Sequence, residues 1–259
     1  MRPVPIQDVG LPLKPSPSAT FLVRPATLAD IHQMAVNHNY AFGNTLIQQF
    51  LAPKAHLFVD DQIRIHKQNI CNGYVKPNNL SLVACLFSEP SAVVGYAQFF
   101  RVGTDQGARE YVASRGVLIR AWLFLLSYFF WITFSISNFV WKDRITSEDN
   151  MARFKTAVRL DYENYWNPET FPSRRDRWAT ASLIVHPEYQ GKGVGKLLMR
   201  EIMALAQRER VPVGLTASPH GEILYRKLGF EKLGDYSLRV VDELGGGSFM
   251  WWPEGVDHS

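Results

Sequence analysis

Hydrophobic and polar positions alternate in some short runs of this chain and recur at helical spacing in others. Phe21–Ala26 predicts a short strand, after which Thr27 or Asp30 caps a helix reaching about Phe42. A second helix is expected near Ala55–Ile70, followed by a loop punctuated by Gly73 and Pro77. Leu80–Ser88 and Val93–Val102 are apolar strands joined by the turn residues Glu89-Pro90-Ser91-Ala92. Further on, Ala179, Ala181, Leu183 and Val185 fall on one face of a strand, with Thr180, Ser182 and Ile184 on the other. His186-Pro187 ends that strand, because proline cannot donate to a ladder. Val194, Leu197, Leu198, Ile202, Leu205 and Ala206 then mark the buried face of a helix stopped by Pro212. The first half therefore reads β-α-α-β-β. The second reads β-α-β-α and closes with a strand pair, near Glu231–Arg239 and Ser248–Trp252, across Gly245-Gly246-Gly247. This order of elements predicts a mixed α/β sheet.

Residues 21–252 read as one domain, preceded by a Pro-rich flexible leader over 1–20 and followed by a tail over 253–259. Between the two halves lies an insertion, residues 103–176, whose centre, Ala121–Trp141, has no charged residue and is rich in Trp, Phe, Leu and Ile. By length it qualifies as a membrane span, with Arg120 and Lys142 at its ends and Trp122, Trp131 and Trp141 as interface anchors. A single crossing conflicts with the sheet, since the strands before and after it should pair on one side of a bilayer. The expectation is a buried apolar helix or helical hairpin acting as a lid over the substrate pocket. A helix lying on a membrane surface, a peripheral contact through 121–141, is the alternative.

Candidate chemistry concentrates in the turn after the second-half strand, Gln190-Gly191-Lys192-Gly193-Val194-Gly195. A strand, a glycine-rich turn and a helix N-terminus together aim backbone N–H groups at an anion. Glycines at 191, 193 and 195 remove side chains that would hold a diphosphate away, and Lys192 and Lys196 add positive charge. Two nucleotide motifs are excluded. Gly191 and Gly195 enclose three residues where a P-loop needs four, and Leu197 follows Lys196 where Ser or Thr is required. Lys196 also occupies the place of the third glycine of a dinucleotide fingerprint.

The turn does fit the pattern Gln/Arg-x-x-Gly-x-Gly/Ala through Gln190, Gly193 and Gly195, and here the chain resembles the GNAT superfamily of N-acetyltransferases. The likeness continues in Pro212–Ser218, similar to that fold's next strand, and in Glu222–Phe230, similar to its next helix with a Tyr-x-x-Leu-Gly-Phe ending. Val23–Asp30 resembles the family's first strand and first helix cap. The resemblance implies a mixed, mostly antiparallel central sheet flanked by helices, with the helical insertion between its third and fourth strands. It implies acetyl-CoA as cosubstrate, held by Leu183, Ile184, Val185, Gln190, Gly191, Lys192, Gly193, Val194, Gly195, Lys196, Ser218 and Tyr225. Tyr225 matches the family's general acid for the leaving thiolate, and a backbone N–H around Leu183–Val185 would stabilise the oxyanion. Ser218 stands where relatives often carry Asn, and Thr180–Ile184 lacks the carboxylate many relatives place there. The general base is therefore unassigned among Asp176, His186 and Glu222.

The chain has 259 residues, enough for a full core, and a formal net charge of +4. That charge suits a polyanionic cosubstrate and is too mild to demand nucleic acid. Arg174-Arg175-Asp176-Arg177, the densest basic run, reads as a solvated loop. The two cysteines, Cys71 and Cys85, imply no disulfide framework, and the cytoplasm is the expected compartment. No metal-ligand spacing is evident. The resulting expectation is transfer of an acetyl group to the primary amine of a small, apolar or aromatic molecule. Acetylation of protein lysines or N-termini, and a CoA-binding module without catalysis, are the alternatives.

Overall fold

The computed structural model describes residues 20–238 and 245–255. The alternating runs become seven strands: β1 (Phe21–Pro25), β2 (Asn79–Leu86), β3 (Val93–Val102), β4 (Arg177–Val185), β5 (Val213–Ala217), β6 (Glu231–Gly234) and β7 (Gly247–Trp251). They form one sheet in the order β1-β2-β3-β4-β5-β7-β6. Every neighbouring pair is antiparallel except β4 and β5. The hairpin turn between β2 and β3 is closed by Ala92 N–H donating to Glu89 O at 2.9 Å. The last strand pair is shorter than the sequence suggests: β6 stops at Gly234, and Arg239 lies outside the described residues. So do residues 1–19 of the expected leader and 256–259 of the expected tail.

The helices are α1 (Ile31–Phe42), α2 (Leu46–Leu51), α3 (Val59–Tyr74), α4 (Gln106–Ser114), α5 (Gly116–Val140), α6 (Glu148–Tyr165), α7 (Val194–Glu209) and α8 (Pro219–Lys227). Thr27 and Asp30 both serve at the entry to α1: the Thr27 amide and hydroxyl each donate to the Asp30 carboxylate, at 2.7 and 2.8 Å. Helix α2 has no counterpart in the expected elements. The helix expected from Ala55 begins instead at Val59, because Ala55–Leu57 is a separate 3-10 turn. One core packs α7 on the sheet through Leu198, Met199, Ile202 and Ala206 against Phe99, Trp178 and Val213. A second core, on the opposite face, joins Ile31, Met34 and Ala35 of α1 and Ile70 and Cys71 of α3 to Val83, Cys85 and Tyr96.

The insertion between β3 and β4 is α4, α5 and α6, and both of its ends are held at the end of the β3–β4 ladder, where Val102 pairs with Arg177. The expectation of a buried apolar helix fails: only Leu123 and Leu126 of the 25 residues of α5 are buried. The helix is apolar almost all round, while α3 and the adjoining α4 cover only part of it. Helix α6 is the part of the insertion that crosses the sheet. Trp166, just past its end, lies flat on β5, where a Cβ at Gly214 would come within 2.6 Å of the indole.

Between α1 and α3 the His38 and His66 rings stack at 4.0 Å, and His38 Nδ1 lies 2.7 Å from Tyr96 Oη. Burial lowers His38 to about 3, with His66 nearby adding to the effect, and burial lowers His66 to about 4. Both rings are neutral at pH 7. The unfolded chain binds protons at these sites first, so their contribution is present above about pH 6.5 and is lost as pH falls toward 4. Thermal melts should show Tm dropping by on the order of 5–10 °C between pH 7 and 5, and His66→Gln should flatten that slope. An equal slope in the variant would remove the pair as its source.

Candidate active site

Strands β4 and β5 are paired over three positions only, Trp178 with Val213, Ala179 with Gly214 and Thr180 with Leu215. Beyond Thr180 they part. β4 stays with β3, and β5 stays with β7 out to Ala217–Gly247. At the parting, the β3–β4 register shifts, so that Gln98 faces Ser182 and Phe99 faces Thr180, leaving Ala181 as an extra residue. This bulge overturns the simple two-face alternation expected for β4. Thr180 shares the α7 face with Trp178, whereas Ser182 and Ile184 share the opposite one, because one extra residue inverts every side chain beyond it.

His186 N–H donates to Val94 O at 2.9 Å. Alternation along the strand then turns the Ile184 amide toward β3 as well, and the Leu183 and Val185 amides toward the gap. Ile184 is therefore spent on the core: its side chain is buried against Tyr96. Leu183 and Val185 remain as outward donors at the edge of the gap. Val185 O accepts from Gln190 Nε2 at 3.1 Å, which fixes the start of the turn.

Gly191 and Gly193 hold φ of 73° and 88°, left-handed values at which a side chain is strained, and a Cβ at either would meet no protein atom within 4 Å. Leu197 N–H, bonded to Gly193 O at 3.0 Å, is the first amide of α7 with an intrahelical partner. The six amides of residues 191–196 donate to no described residue. They face solvent at the positive end of a 16-residue helix whose buried Val194, Leu198 and Met199 hold that end against the sheet. Lys196 is exposed beside them, and Lys192 lies 5.2 Å from the Tyr189 ring. Gly195 has a packing use as well. A Cβ there would lie 3.1 Å from Leu224 and 3.8 Å from Leu183, so this glycine lets α7 and α8 approach β4.

The gap opens on the α1 face into a cavity of about 700 Å³. Phe42, Ile47, Phe154, Val158 and Trp166 supply apolar wall, and Asp161, Tyr162, Arg177, Ser218 and His220 supply polar groups. The wall expected from residues 121–141 comes instead from α2 and α6. Nothing in the α6 sequence marked it, since its apolar residues are spaced among many charges. Arg177, expected in a solvated loop, is buried under the Trp166 ring at 4.8 Å, and its Nη1 donates to Arg174 O at 2.6 Å. Burial lowers its pKa.

Ser218 lines the cavity and also caps α8, its Oγ accepting the Gly221 amide at 3.2 Å. Tyr225 is buried on the α7 side, with its ring edge-on to Phe230 at 5.5 Å. Burial raises its phenol pKa well above the ordinary value, so it stays protonated across the physiological range. None of the three groups considered as base lines the cavity. The Asp176 carboxylate receives the Thr104 and Asp105 amides at 2.9 and 3.2 Å. Glu222 is held by Arg226 and the Gly246 amide, both at 2.6 Å. His186 Nδ1 accepts the Glu188 amide at 3.4 Å. The carboxylates that do face the cavity are Asp161 and Asp235.

Residues 156–232 match the family model described as the acetyltransferase (GNAT) domain. Over that stretch the chain is similar to GNAT acetyltransferases. An acetyltransferase of Stachybotrys chartarum is 38% identical over 60 residues, 23% of this chain and 25% of that protein. An uncharacterised N-acetyltransferase of Porphyra purpurea is 35% identical over 110 residues, 42% of this chain and 52% of that one. The matched segments thus span a quarter and about half of these relatives. Two solved acetyltransferase structures share the fold over most of their length. One, named histone acetyltransferase HPA2 and related acetyltransferase, from Corynebacterium glutamicum, has a TM-score of 0.55 at 17% identity, covering 93% of this chain and all of that one. The other, named arylalkylamine N-acetyltransferase 7, from the mosquito Aedes aegypti, has a TM-score of 0.56 at 12% identity, covering 90% and 87%.

The two kinds of glycine separate by substitution. Gly193→Glu should weaken CoA binding by calorimetry more than about tenfold, by setting a carboxylate before the unpaired amides. Gly195→Ala, whose Cβ meets only the tip of the Leu224 side chain, should shift stability by no more than about 1 kcal/mol in denaturant melts and leave CoA affinity within about twofold. CoA affinity unchanged in Gly193→Glu would show that the turn does not hold the diphosphate.

Proposed function

We propose that this protein transfers an acetyl group from acetyl-CoA to the primary amine of a small molecule with an apolar body. The observation that carries the reading is the strand gap, which has six amides without a partner among the described residues at one end and a largely apolar cavity on one face. The Gly191 and Gly193 cradle is roomy where a diphosphate would sit, which is the fit a CoA site requires. A cavity of about 700 Å³ is the size of a small-molecule site rather than a peptide groove. The mosquito structure named for arylalkylamines agrees with this class in name, and its likeness to the present chain is one of fold.

Acetyl-CoA, when bound, supplies the thioester carbon that the amine attacks. The chain's own groups do three things. Amides 191–196, with Gln190 fixing the turn and Lys192 and Lys196 adding charge, hold the diphosphate. The outward Leu183 and Val185 amides offer hydrogen bonds to a carbonyl oxygen gaining negative charge. Tyr225, kept protonated by burial on the α7 side, donates to the departing thiolate, while the amine enters from the cavity on the other face. An alkyl ammonium has a pKa near 10, so a proton must leave it before attack. Asp161, whose carboxylate faces the cavity and accepts the Ser237 amide at 2.8 Å, is the group we assign to hold the ammonium and favour its entry.

Saturating acetyl-CoA should raise Tm by roughly 5–10 °C, the shift expected from about 2.7 kcal/mol at a hundredfold excess over Kd. In a thiol-release assay, arylalkylamines should turn over faster than lysine peptides. Turnover of peptides alone, or of nothing, would overturn the assignment. Tyr225→Phe should lower kcat about 10²-fold with acetyl-CoA affinity unchanged. Equal rates would remove Tyr225 as the acid.

A further inference from the structure

Helix α5 is built the wrong way round for a surface helix. Its less apolar side faces the protein. There Asn138 Oδ1 accepts from Arg64 Nη1 at 2.7 Å and from Gln68 Nε2 at 2.9 Å, and Phe130 and Phe134 alone of the nearby aromatics pack onto the α1–α3 core. Its outward side is apolar except for Ser135: Leu118 and Phe139 are 86% exposed and Phe124 is 71% exposed, with Trp122, Leu125, Trp131 and Ile136 between them. At 100° per residue these positions cover about half the circumference of a helix ~37 Å long. Exposed apolar surface of this extent on a soluble chain marks a site of contact.

Both ends of α5 are tied to the same folded body. Before it, the Arg115 guanidinium donates to Asn79 O and, at 3.0 Å, to Tyr111 Oη. After it, Arg144 pairs with Asp61 at 2.8 Å, and Ile145 is buried with Ala52 and Ala55. A helix fastened lengthwise cannot put its ends on opposite sides of a bilayer. It can lie in the plane of one.

We propose that α5 docks this protein on an anionic phospholipid surface, its outward half immersed at the level of the acyl chains nearest the headgroups. Three observations favour lipid over a second copy of the chain. A partner helix covers a stripe of about 100°, whereas half a cylinder suits a non-directional apolar solvent. The exposed aromatics include Trp122, Tyr128, Trp131 and Trp141, the residue types that settle at membrane interfaces. The charge is also one-sided. No Asp or Glu occurs in residues 111–142, while Arg120 and Lys142 are exposed at the two ends of the helix and Lys67 is exposed beside it. Lys67 and Arg64 line a groove of about 330 Å³ between α3 and α5, with Phe129, Phe130 and Phe134 as its apolar wall; Arg64 is paired with Asp61 at 3.7 Å, its Nε has no partner among the described residues, and Lys67 is the exposed cation. Cations over an apolar wall are what an anionic headgroup and its first methylenes require. Because α5 contributes nothing to the 700 Å³ cavity, docking and acetyl transfer are separable.

The test is flotation of the full chain with vesicles of phosphatidylcholine alone and of phosphatidylcholine mixed with phosphatidylserine. The expected result is binding to the mixed vesicles, weaker on the neutral ones. It should fall at least about tenfold in a Leu118→Ser, Phe124→Ser, Trp131→Ser, Phe139→Ser variant whose Tm is unchanged. Arg120→Glu with Lys142→Glu should lower binding to the mixed vesicles selectively, and this pair decides the matter if the serine variant does not fold. Failure of the wild-type chain to float with either vesicle overturns the proposal. So does a dimer in light scattering that the α5 serine substitutions convert to monomer, or undiminished binding by the charge-reversed pair.

Discussion

The separation of two parallel strands governs the rest of this molecule. Strands β4 and β5 share three residue pairs and then diverge, each kept in the sheet by its outer neighbour. Backbone donors in the opened stretch have lost their ladder partners, and such groups demand other company. The bulge at Ala181 bends β4 at the point of divergence and inverts its faces, placing Ile184 in the core and the Leu183 and Val185 amides on the gap. A continuous sheet would satisfy these groups and leave no room for a substrate. The defect in the ladder opens the candidate site.

The turn after β4 completes what the gap begins. Its position depends on α7, whose buried face is pinned to β3, β4 and β5 and cannot slide without exposing Leu198 and Ile202. A rigid helix start with amides 191–196 unpaired, beside an opened strand edge, is a preorganised electrostatic device: its dipoles are oriented before any ligand arrives. The three glycines divide the work by local geometry. Two permit left-handed backbone facing empty space, and the third permits contact between hydrophobic surfaces.

The insertion separates into parts with unlike duties. Helix α6 returns across the sheet, seats Trp166 on Gly214 and buries Arg177 beneath the indole, which makes it a wall of the cavity. Helix α5, held along α3, presents its apolar half outward. Both follow from the same constraint: the chain leaves β3 and must come back one strand away, where Val102 meets Arg177. The excursion is closed, so its helices have to lie along the body rather than extend from it.

Local pattern was enough to read the strands, the β2–β3 hairpin, the amphipathic face of α7 and the glycine turn. Period-2 and period-3.6 spacing and turn residues are properties of short segments, and the backbone obeys them wherever the segment sits. The same logic made the His186-Pro187 stop and the Thr27–Asp30 cap legible. What the chain alone did not reveal depends on pairs distant in sequence. The bulge at Ala181 exists only because β3 and β4 pair in a particular register. The stack of His38 on His66, the burial of Arg177 and the separate use of Gly195 are set by neighbours far along the chain. The apolar run of α5 was visible as composition, yet its exposure was decided by which helix could cover it and how far. Only the assembled sheet chose α6 over α5 to enclose the cavity, because packing, unlike periodicity, is a property of surfaces that must meet.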